Sequence, residues 1–236
     1  MDTKLKKRLA AEHALTYVQP GMKLGLGTGS TSAEFIDLLG ERVAAGLNVV
    51  AVATSKASEV QARACEIPIA TLDDHSFLDL VVDGADELDA ELRLIKGGGG
   101  ALLREKIVAA ASDRMIVIAD DSKRVSRLGK FPLPIEVVEF GLKSTVAMIE
   151  ALAHDIDLDG TVRARRTSQG ELFRTDEGNL ILDCGFGHIP SPEALADVLG
   201  LVPGIVEHGL FLGLADVAII AGEHGLDVLE ANVEEA

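Results

Sequence analysis

Tryptophan is absent from this 236-residue sequence, tyrosine occurs once, and aromatic residues make up only 3% of it. A nucleic-acid surface built on stacked bases is therefore disfavoured. Cationic side chains are scarce as well: 22 Lys and Arg against 38 Asp and Glu leave a formal net charge of −16. So acidic a chain is repelled by DNA, RNA and anionic membranes. An anionic ligand would need a local cluster of cations working against that overall field. The two cysteines, Cys65 and Cys184, lie far apart and fit neither a disulfide framework nor a metal-ligand spacing. Both are expected as small buried hydrophobes. The six histidines are scattered, and each is expected at a surface or core position rather than in catalysis. No run of about 20 apolar residues is present to cross a bilayer, and the opening MDTKLKKRLA has no apolar signal region. The expectation is a cytoplasmic protein with no membrane and no nucleic-acid partner.

What is present is ample apolar material, 47% of the residues, enough for one large domain or one domain with a small appendage. The first 130 residues alternate between strand and helix patterns. Leu5 to Tyr17 reads as a helix ended by Pro20-Gly21, followed by a strand over Lys23 to Leu26, a GTGSTS loop and a helix to about Gly40. NVVAVAT (Asn48 to Thr54), LDLVV (Leu78 to Val82) and MIVIA (Met115 to Ala119) read as strands. Ser55 to Ala64, capped by Ser55, and Gly100 to Ala111 read as helices. Such alternation implies βαβ units and a mainly parallel sheet. The pattern changes after Lys130. A Pro-punctuated strand FPLPIEVVEF is followed by a helix near Thr145 to Leu152. ELFRTDEGNLILDC reads as a hairpin, and a helix over Ser191 to Leu199 has Ser191 as its cap and Pro192 in first position. LFLGLADVAIIAG is apolar enough to return to the main sheet. The expected fold is α/β: a mainly parallel, Rossmann-like sheet flanked by helices, with a smaller inserted α+β domain. Residues 1–130 and 208–236 form the main domain and 131–207 the smaller one. The acidic end, EANVEEA, is expected to be frayed and solvated.

Three segments carry chemistry. GLGTGSTSAEF (Gly25 to Phe35) lies between a strand and a helix, with hydroxyls at Thr28, Ser30, Thr31 and Ser32. Helix N-terminal N–H groups with added hydroxyl donors suit a phosphate, although a plain βα turn with Ser/Thr caps has the same look. No Gly-Lys-Ser/Thr follows, so it is no Walker A loop. Ser30 replaces the third glycine of a dinucleotide fingerprint, and the next strand ends in Ala53-Thr54-Ser55 without an acidic residue, which disfavours NAD. DGADELD (Asp83 to Asp89) leaves a strand at the sheet's carboxyl edge. Asp83 and Asp86 are expected to face a cleft there, where carboxylates can bind sugar hydroxyls, act as acid or base, or hold a metal. Glu87 and Asp89 are expected as solvated turn residues. IKGGGGALLREK (Ile95 to Lys106) places Lys96, four glycines and Glu105 in one short stretch. Consecutive glycines cost backbone entropy and are tolerated where the chain takes unusual angles or approaches a ligand. Leu103, Ile107 and Ala110 are expected to face the core, with Glu105 about a quarter-turn or more away. The helix N-terminus favours ionised Glu105, and Asp83 and Asp86 oppose it. A carboxylate balanced in this way can move a proton on carbon next to a carbonyl.

These motifs, in this order, resemble the A-type ribose-5-phosphate isomerase family. YVQPG (Tyr17 to Gly21), ADDSK (Ala119 to Lys123), LGKFPLP (Leu128 to Pro134) and VPGIVEHGLF (Val202 to Phe211) extend the resemblance over nearly the whole chain. The resemblance implies interconversion of ribose 5-phosphate and ribulose 5-phosphate with no organic cofactor and no metal, by a homo-oligomer, dimeric or tetrameric. It implies Glu105 as the base between C2 and C1, Asp83 in ring opening with Asp86 beside it, and Lys96 as the cation facing the enediolate. Substrate contacts are implied from Thr28, Gly29, Ser30, Thr31, Gly84 and Gly97, with Lys7 and Lys123 at the phosphate; Lys6 is the alternative to Lys7. Without the resemblance, the residues alone reach a sugar-phosphate isomerase or another enolising enzyme. A sugar-phosphate sensor would have no need of the Glu105–Lys96 pair. A CoA transferase would need a covalent glutamate, and an amino-sugar phosphate deaminase a histidine in the site.

Overall fold

The computed structural model describes residues 1–231 of the chain. Helix α1 (Thr3–Ala14) opens it, capped by Asp2, whose side chain accepts from Leu5 N. A 3-10 turn, Leu15–Tyr17, completes the segment expected as one helix. Strand β1 (Lys23–Leu26) leads into α2 (Ser30–Ala44), β2 (Val50–Ala53) and α3 (Lys56–Ala64). Ser55 caps α3 as expected, accepting from Ser58 N. Next come β3 (Leu80–Asp83), two short strands β4 (Glu87–Leu88) and β5 (Leu94–Ile95), helix α4 (Leu102–Ala110) and β6 (Met115–Asp120). The chain continues through β7 (Leu133–Val137), α5 (Leu142–Asp155), β8 (Thr161–Ala164), β9 (Leu180–Gly185) and α6 (Pro192–Leu199). It closes with β10 (Ile205–His208), β11 (Leu210–Phe211), β12 (Val217–Gly222) and β13 (Gly225–Glu230).

Six strands form the main sheet in the order β13-β12-β6-β3-β1-β2, parallel throughout except for β13, which runs antiparallel to β12. A buried parallel strand must be apolar on both faces. In β6, Ile116 and Ile118 enter a core with Phe35 and Leu39 of α2, while Met115 and Val117 enter the opposite core with Val108 of α4 and Phe211. The chain runs from β1 outward to β2, then returns to the other side of β1 at β3. That reversal opens a crevice at the carboxyl ends of β1 and β3, where doubly wound sheets bind ligands.

A second, antiparallel sheet, β10-β7-β9-β8, packs on α5 and α6 around Ile135, Ile149, Leu182 and Leu195. Three expectations change here. The 171–184 hairpin is a turn with one bridge, Arg174 to Leu180, and β9 pairs instead with β7 and β8. The first arm is engaged elsewhere: Thr175 Oγ1 donates to Glu136 at 2.9 Å, and Asp176 accepts from Lys56 N. Ser191 stands at the cap of α6, but its side chain makes no capping bond. Helix α5 is longer than expected at both ends.

A third sheet, β11-β5-β4, was not foreseen, and it buries Glu87 and Asp89 (3% and 2% exposed), contrary to their expected place in a solvated loop. Glu87 accepts from Gly129 N and Phe131 N; Asp89 accepts from Glu91 N, Arg93 N and Arg93 Nε. Cys184 is buried, whereas Cys65 is only half-buried. Of the tail expected to fray, Glu230 pairs in β13 with Val217; residues 232–236 lie outside the described residues.

Candidate active site

The site grows from the switch point. After β1 the chain turns through Gly27, Thr28 and Gly29 into α2. A Cβ on Gly27 would lie 2.1 Å from Asp83 Oδ1, so only glycine lets the two loops meet. Asp83, at the end of β3, uses that space: its Oδ1 accepts from Thr28 N (3.0 Å), Gly84 N (2.7 Å) and Ser32 Oγ (3.2 Å). Gly29, the cap of α2, offers no side chain to the first-turn N–H groups. They stay available to an anion and carry the positive end of a 15-residue helix.

Strand β5 delivers Lys96 from beneath. Its Nζ donates to Gly84 O at 2.6 Å, stands 2.9 Å from Asp83 Oδ2 and 3.4 Å from Glu105 Oε1, and lies 5.5 Å from the Phe211 ring centre. Burial works against its charge, but Asp83, Glu105 and Asp86 outweigh burial and raise its pKa. Gly97, at φ +106°, then turns the chain where a Cβ would strike Leu102. Helix α4 starts at Leu102, and its buried face is Leu102, Glu105, Val108 and Ala109. The expected core face, Leu103, Ile107 and Ala110, is therefore corrected: Leu103 is half-buried and the other two are exposed. Glu105 shares the buried stripe because i+3 and i+4 neighbours share a helix face. Its flanking cations look elsewhere, Arg104 to Glu177 and Lys106 to Glu207.

Glu105 is 4% exposed, and its pKa is pushed up to about 8. Burial is the largest cause; repulsion from Asp83 and Asp86 adds to it, and Lys96 opposes it. The repulsion was anticipated from the sequence and the burial was not. Among the described residues Glu105 Oε2 is a buried side-chain oxygen with no partner, and Asp83 Oδ2 has only its ion pair with Lys96.

A cavity of about 110 Å³ opens over these groups. Lys7, Thr28, Gly29, Ser30, Thr31, Gly84, Asp86, Lys96, Gly97, Glu105 and Lys123 all line it, joined by Ala85, Gly98 and Gly99. Asp83 is not part of the lining and reaches it through Lys96, whose Nζ its Oδ2 holds. Lys7 Nζ donates to Ser30 Oγ at 2.8 Å, while Lys6 is buried against Asp121 (2.9 Å) and Glu223 (2.7 Å). Of the two N-terminal lysines, Lys7 faces the cavity. The Thr28 hydroxyl turns to Thr54 Oγ1 (2.7 Å), and Ser58 Oγ donates to Gly27 O (2.7 Å). This support was missed, although Thr54 follows directly on the pairing of Leu26 with Ala53. A larger cavity, about 400 Å³, lies between α3 and α4. Its cations, Arg63 and Arg104, are paired with Glu59 and Glu177, and it holds no buried carboxylate–lysine pair. Among the described residues no group of three or more His, Cys, Asp or Glu is placed to hold a metal ion, and no helix is long and apolar enough to cross a membrane.

The family model of ribose 5-phosphate isomerase A (phosphoriboisomerase A) matches residues 50–225. The chain belongs to that family. It is 57% identical over 224 residues to the ribose-5-phosphate isomerase A of Rhodopseudomonas palustris (strain BisB18), covering 95% of this chain and 97% of that protein. A D-ribose-5-phosphate isomerase solved in complex with phospho-erythronic acid matches with a TM-score of 0.90 at 38% identity, covering 98% of this chain and 100% of that one. The family member from Methanocaldococcus jannaschii matches with a TM-score of 0.88 at 36% identity, over 96% and 99% of the two chains. Members of this family are aldose–ketose isomerases, and the mainly parallel sheet flanked by helices is theirs as well.

Proposed function

We propose that the chain interconverts D-ribose 5-phosphate and D-ribulose 5-phosphate through an enediolate, as a step of the non-oxidative pentose phosphate pathway, with neither metal nor organic cofactor. One observation carries the mechanism. A buried carboxylate oxygen without any partner, Glu105 Oε2, stands beside a buried lysine, Lys96, that Asp83 Oδ2 holds at 2.9 Å, and Lys96 and Glu105 both line the cavity. Buried polar atoms are otherwise nearly always satisfied, and a substrate hydroxyl would satisfy this one. Lys7, Ser30, Thr31 and Lys123 line the same cavity. Phospho-erythronic acid, held by a solved relative, has an acid at one end and a phosphate at the other, and the same two-ended chemistry suits this cavity.

The phosphate docks on Lys7, Lys123 and the N-terminus of α2, so remote binding energy orients the reacting carbons. Asp83, with Asp86 beside it, assists the transfer of the anomeric hydroxyl proton to the ring oxygen O4 as the C1–O4 bond breaks and C1=O1 forms. Glu105 then takes the proton from C2. Charge gathers on O1, where Lys96 meets it; one such donor is worth about 3 kcal/mol in the transition state. Glu105 returns the proton to C1 while a proton passes from O2 to O1. Residues 131–207, which hold the second sheet except its last residue His208, are read as the smaller domain. The family resemblance supports a homo-oligomer working in the cytoplasm.

The test is a coupled assay with ribose 5-phosphate in the presence of EDTA. The parent should turn over, and Glu105→Gln should lose turnover on the order of 10²–10⁴-fold, the usual contribution of a general base. A variant working at the parent rate would remove Glu105 from the mechanism.

A further inference from the structure

Arg165 follows β8 and reaches across to the glycine loop. Its Nη1 donates to the carbonyls of Gly97 (2.9 Å) and Gly98 (3.0 Å). The other edge of the guanidinium is held by Asp183 on β9, with Nε 3.0 Å from Oδ2 and Nη2 2.5 Å from Oδ1. Phe173 backs the same plane, its ring centre 5.7 Å from Arg165 Cζ. The backbone is pinned as well: Arg165 N donates to Ile181 O, and Arg165 O accepts from Phe173 N. This clamp rises from the side of the second sheet, whereas the groups of the proposed mechanism come from the first 123 residues.

Peptide planarity gives the clamp a consequence. In a trans peptide the carbonyl and the following N–H point opposite ways. Holding the Gly97 carbonyl fixes the Gly98 N–H, which donates to Asp86 Oδ2 at 2.6 Å. Holding the Gly98 carbonyl turns the Gly99 N–H away from Arg165, and Gly98 and Gly99 line the cavity together with Asp86, Lys96 and Glu105. A planar fork of five donors can grip two carbonyls and both oxygens of a carboxylate at once, four bonds for which a lysine has only three donors and no fork.

We propose that Arg165 is a positioning residue for the isomerisation: it locks two peptide planes of the glycine loop, so that one N–H orients Asp86 and the next is presented to a substrate oxygen beside Lys96. The proposal rests on the isomerase reading above. It makes the second sheet a working part of the site and not only a neighbour of it.

The experiment compares the parent with Arg165→Met, Arg165→Lys and Asp183→Asn. It reads ribose 5-phosphate kinetics, together with calorimetric binding of phospho-erythronic acid and of inorganic phosphate. Arg165→Met should lower kcat on the order of 10- to 100-fold through misplacement of the loop. KM should move little, because Lys7, Ser30 and Lys123 are untouched. Binding of phospho-erythronic acid should weaken while inorganic phosphate binds as before. Arg165→Lys should restore little. Asp183→Asn should shift kcat the same way by less, and it decides the matter if Arg165→Met does not fold. A parent-like kcat in the deciding variant overturns the proposal, and so does an equal loss of both ligands, the mark of general loosening. A parent that fails to turn over ribose 5-phosphate would instead overturn the isomerase reading, leaving Arg165 to be judged by the two binding measurements.

Discussion

Glu105→Gln should make the protein more stable as it makes it inactive, and the stability gain should depend on pH. In the folded chain the Glu105 carboxyl titrates at about 8 against an ordinary 4.5, with burial as the leading cause. Below pH 4.5 the group is protonated both folded and unfolded, and it costs nothing. Between 4.5 and 8 the unfolded chain gives up the proton while the folded chain keeps it. Each pH unit in that window therefore favours unfolding by about 1.4 kcal/mol. The sign is that of a raised pKa: the contribution to stability is intact below 4.5 and is lost as pH rises toward 8. From 4.5 to 7 the loss reaches about 3 kcal/mol. Glutamine has nearly the shape of the protonated acid and does not titrate, so it escapes this loss. Urea unfolding of parent and variant at steps from pH 4.5 to 8 measures the difference, and carboxylates remote from Glu105 cancel in it. The expected gain rises from near zero to about 3 kcal/mol at pH 7. A gain that stays flat across this range, or a variant less stable than the parent at pH 7, would refute the burial argument.

The same titration should appear in kinetics: kcat/KM reports the free enzyme, so it should climb with pH through an apparent pKa near 8. Asp86→Asn removes a repelling charge, so it should move that limb downward in pH even as it lowers the rate. Lys7→Ala and Lys123→Ala should each raise KM by about 10- to 100-fold, the value of a charged hydrogen bond to phosphate. Lys6→Met should leave KM unchanged, since Lys6 is bound to Asp121 and Glu223; a raised KM there would reverse the assignment. Gly27→Ala pushes a methyl onto Asp83 Oδ1 and should destabilise by about 1–3 kcal/mol in urea, with activity falling further.

The main sheet was legible because its strands are short apolar runs bounded by Gly, Ser and Asp, and helices separate them; β1, β2, β3 and β6 all fall within a few residues of expectation. What stayed hidden depends on contacts distant in sequence. Glu87 looks like a turn former in DGADELD, yet two backbone N–H groups from Gly129 and Phe131, more than 40 residues on, take its carboxylate inside. The 171–175 arm looks like half of a hairpin, yet Thr175 is claimed by Glu136. Local pattern proposes such pairings, and competition for each donor and acceptor decides them.

The site shows how narrow the margin is. A core face of Leu103, Ile107 and Ala110 would set Glu105 on the flank of α4, within reach of Arg104 and Lys106 and open to water. There the helix N-terminus and its neighbours would hold it as an ordinary carboxylate, weak as a base at neutral pH. Turning the buried face to Leu102, Val108 and Ala109 carries Glu105 inward with them and leaves Arg104 paired with Glu177 and Lys106 with Glu207. The carboxylate is then left with one cation, Lys96, which Asp83 holds still closer. Desolvation outweighs that shared attraction, and the pKa rises toward the range where taking and returning a proton on carbon both become feasible. The glycine tract sets that phase. Gly97 at φ +106° and Gly100 at φ +81° are turns that a residue with a Cβ seldom adopts, and they fix where the first helical residue falls and so which face Glu105 shares.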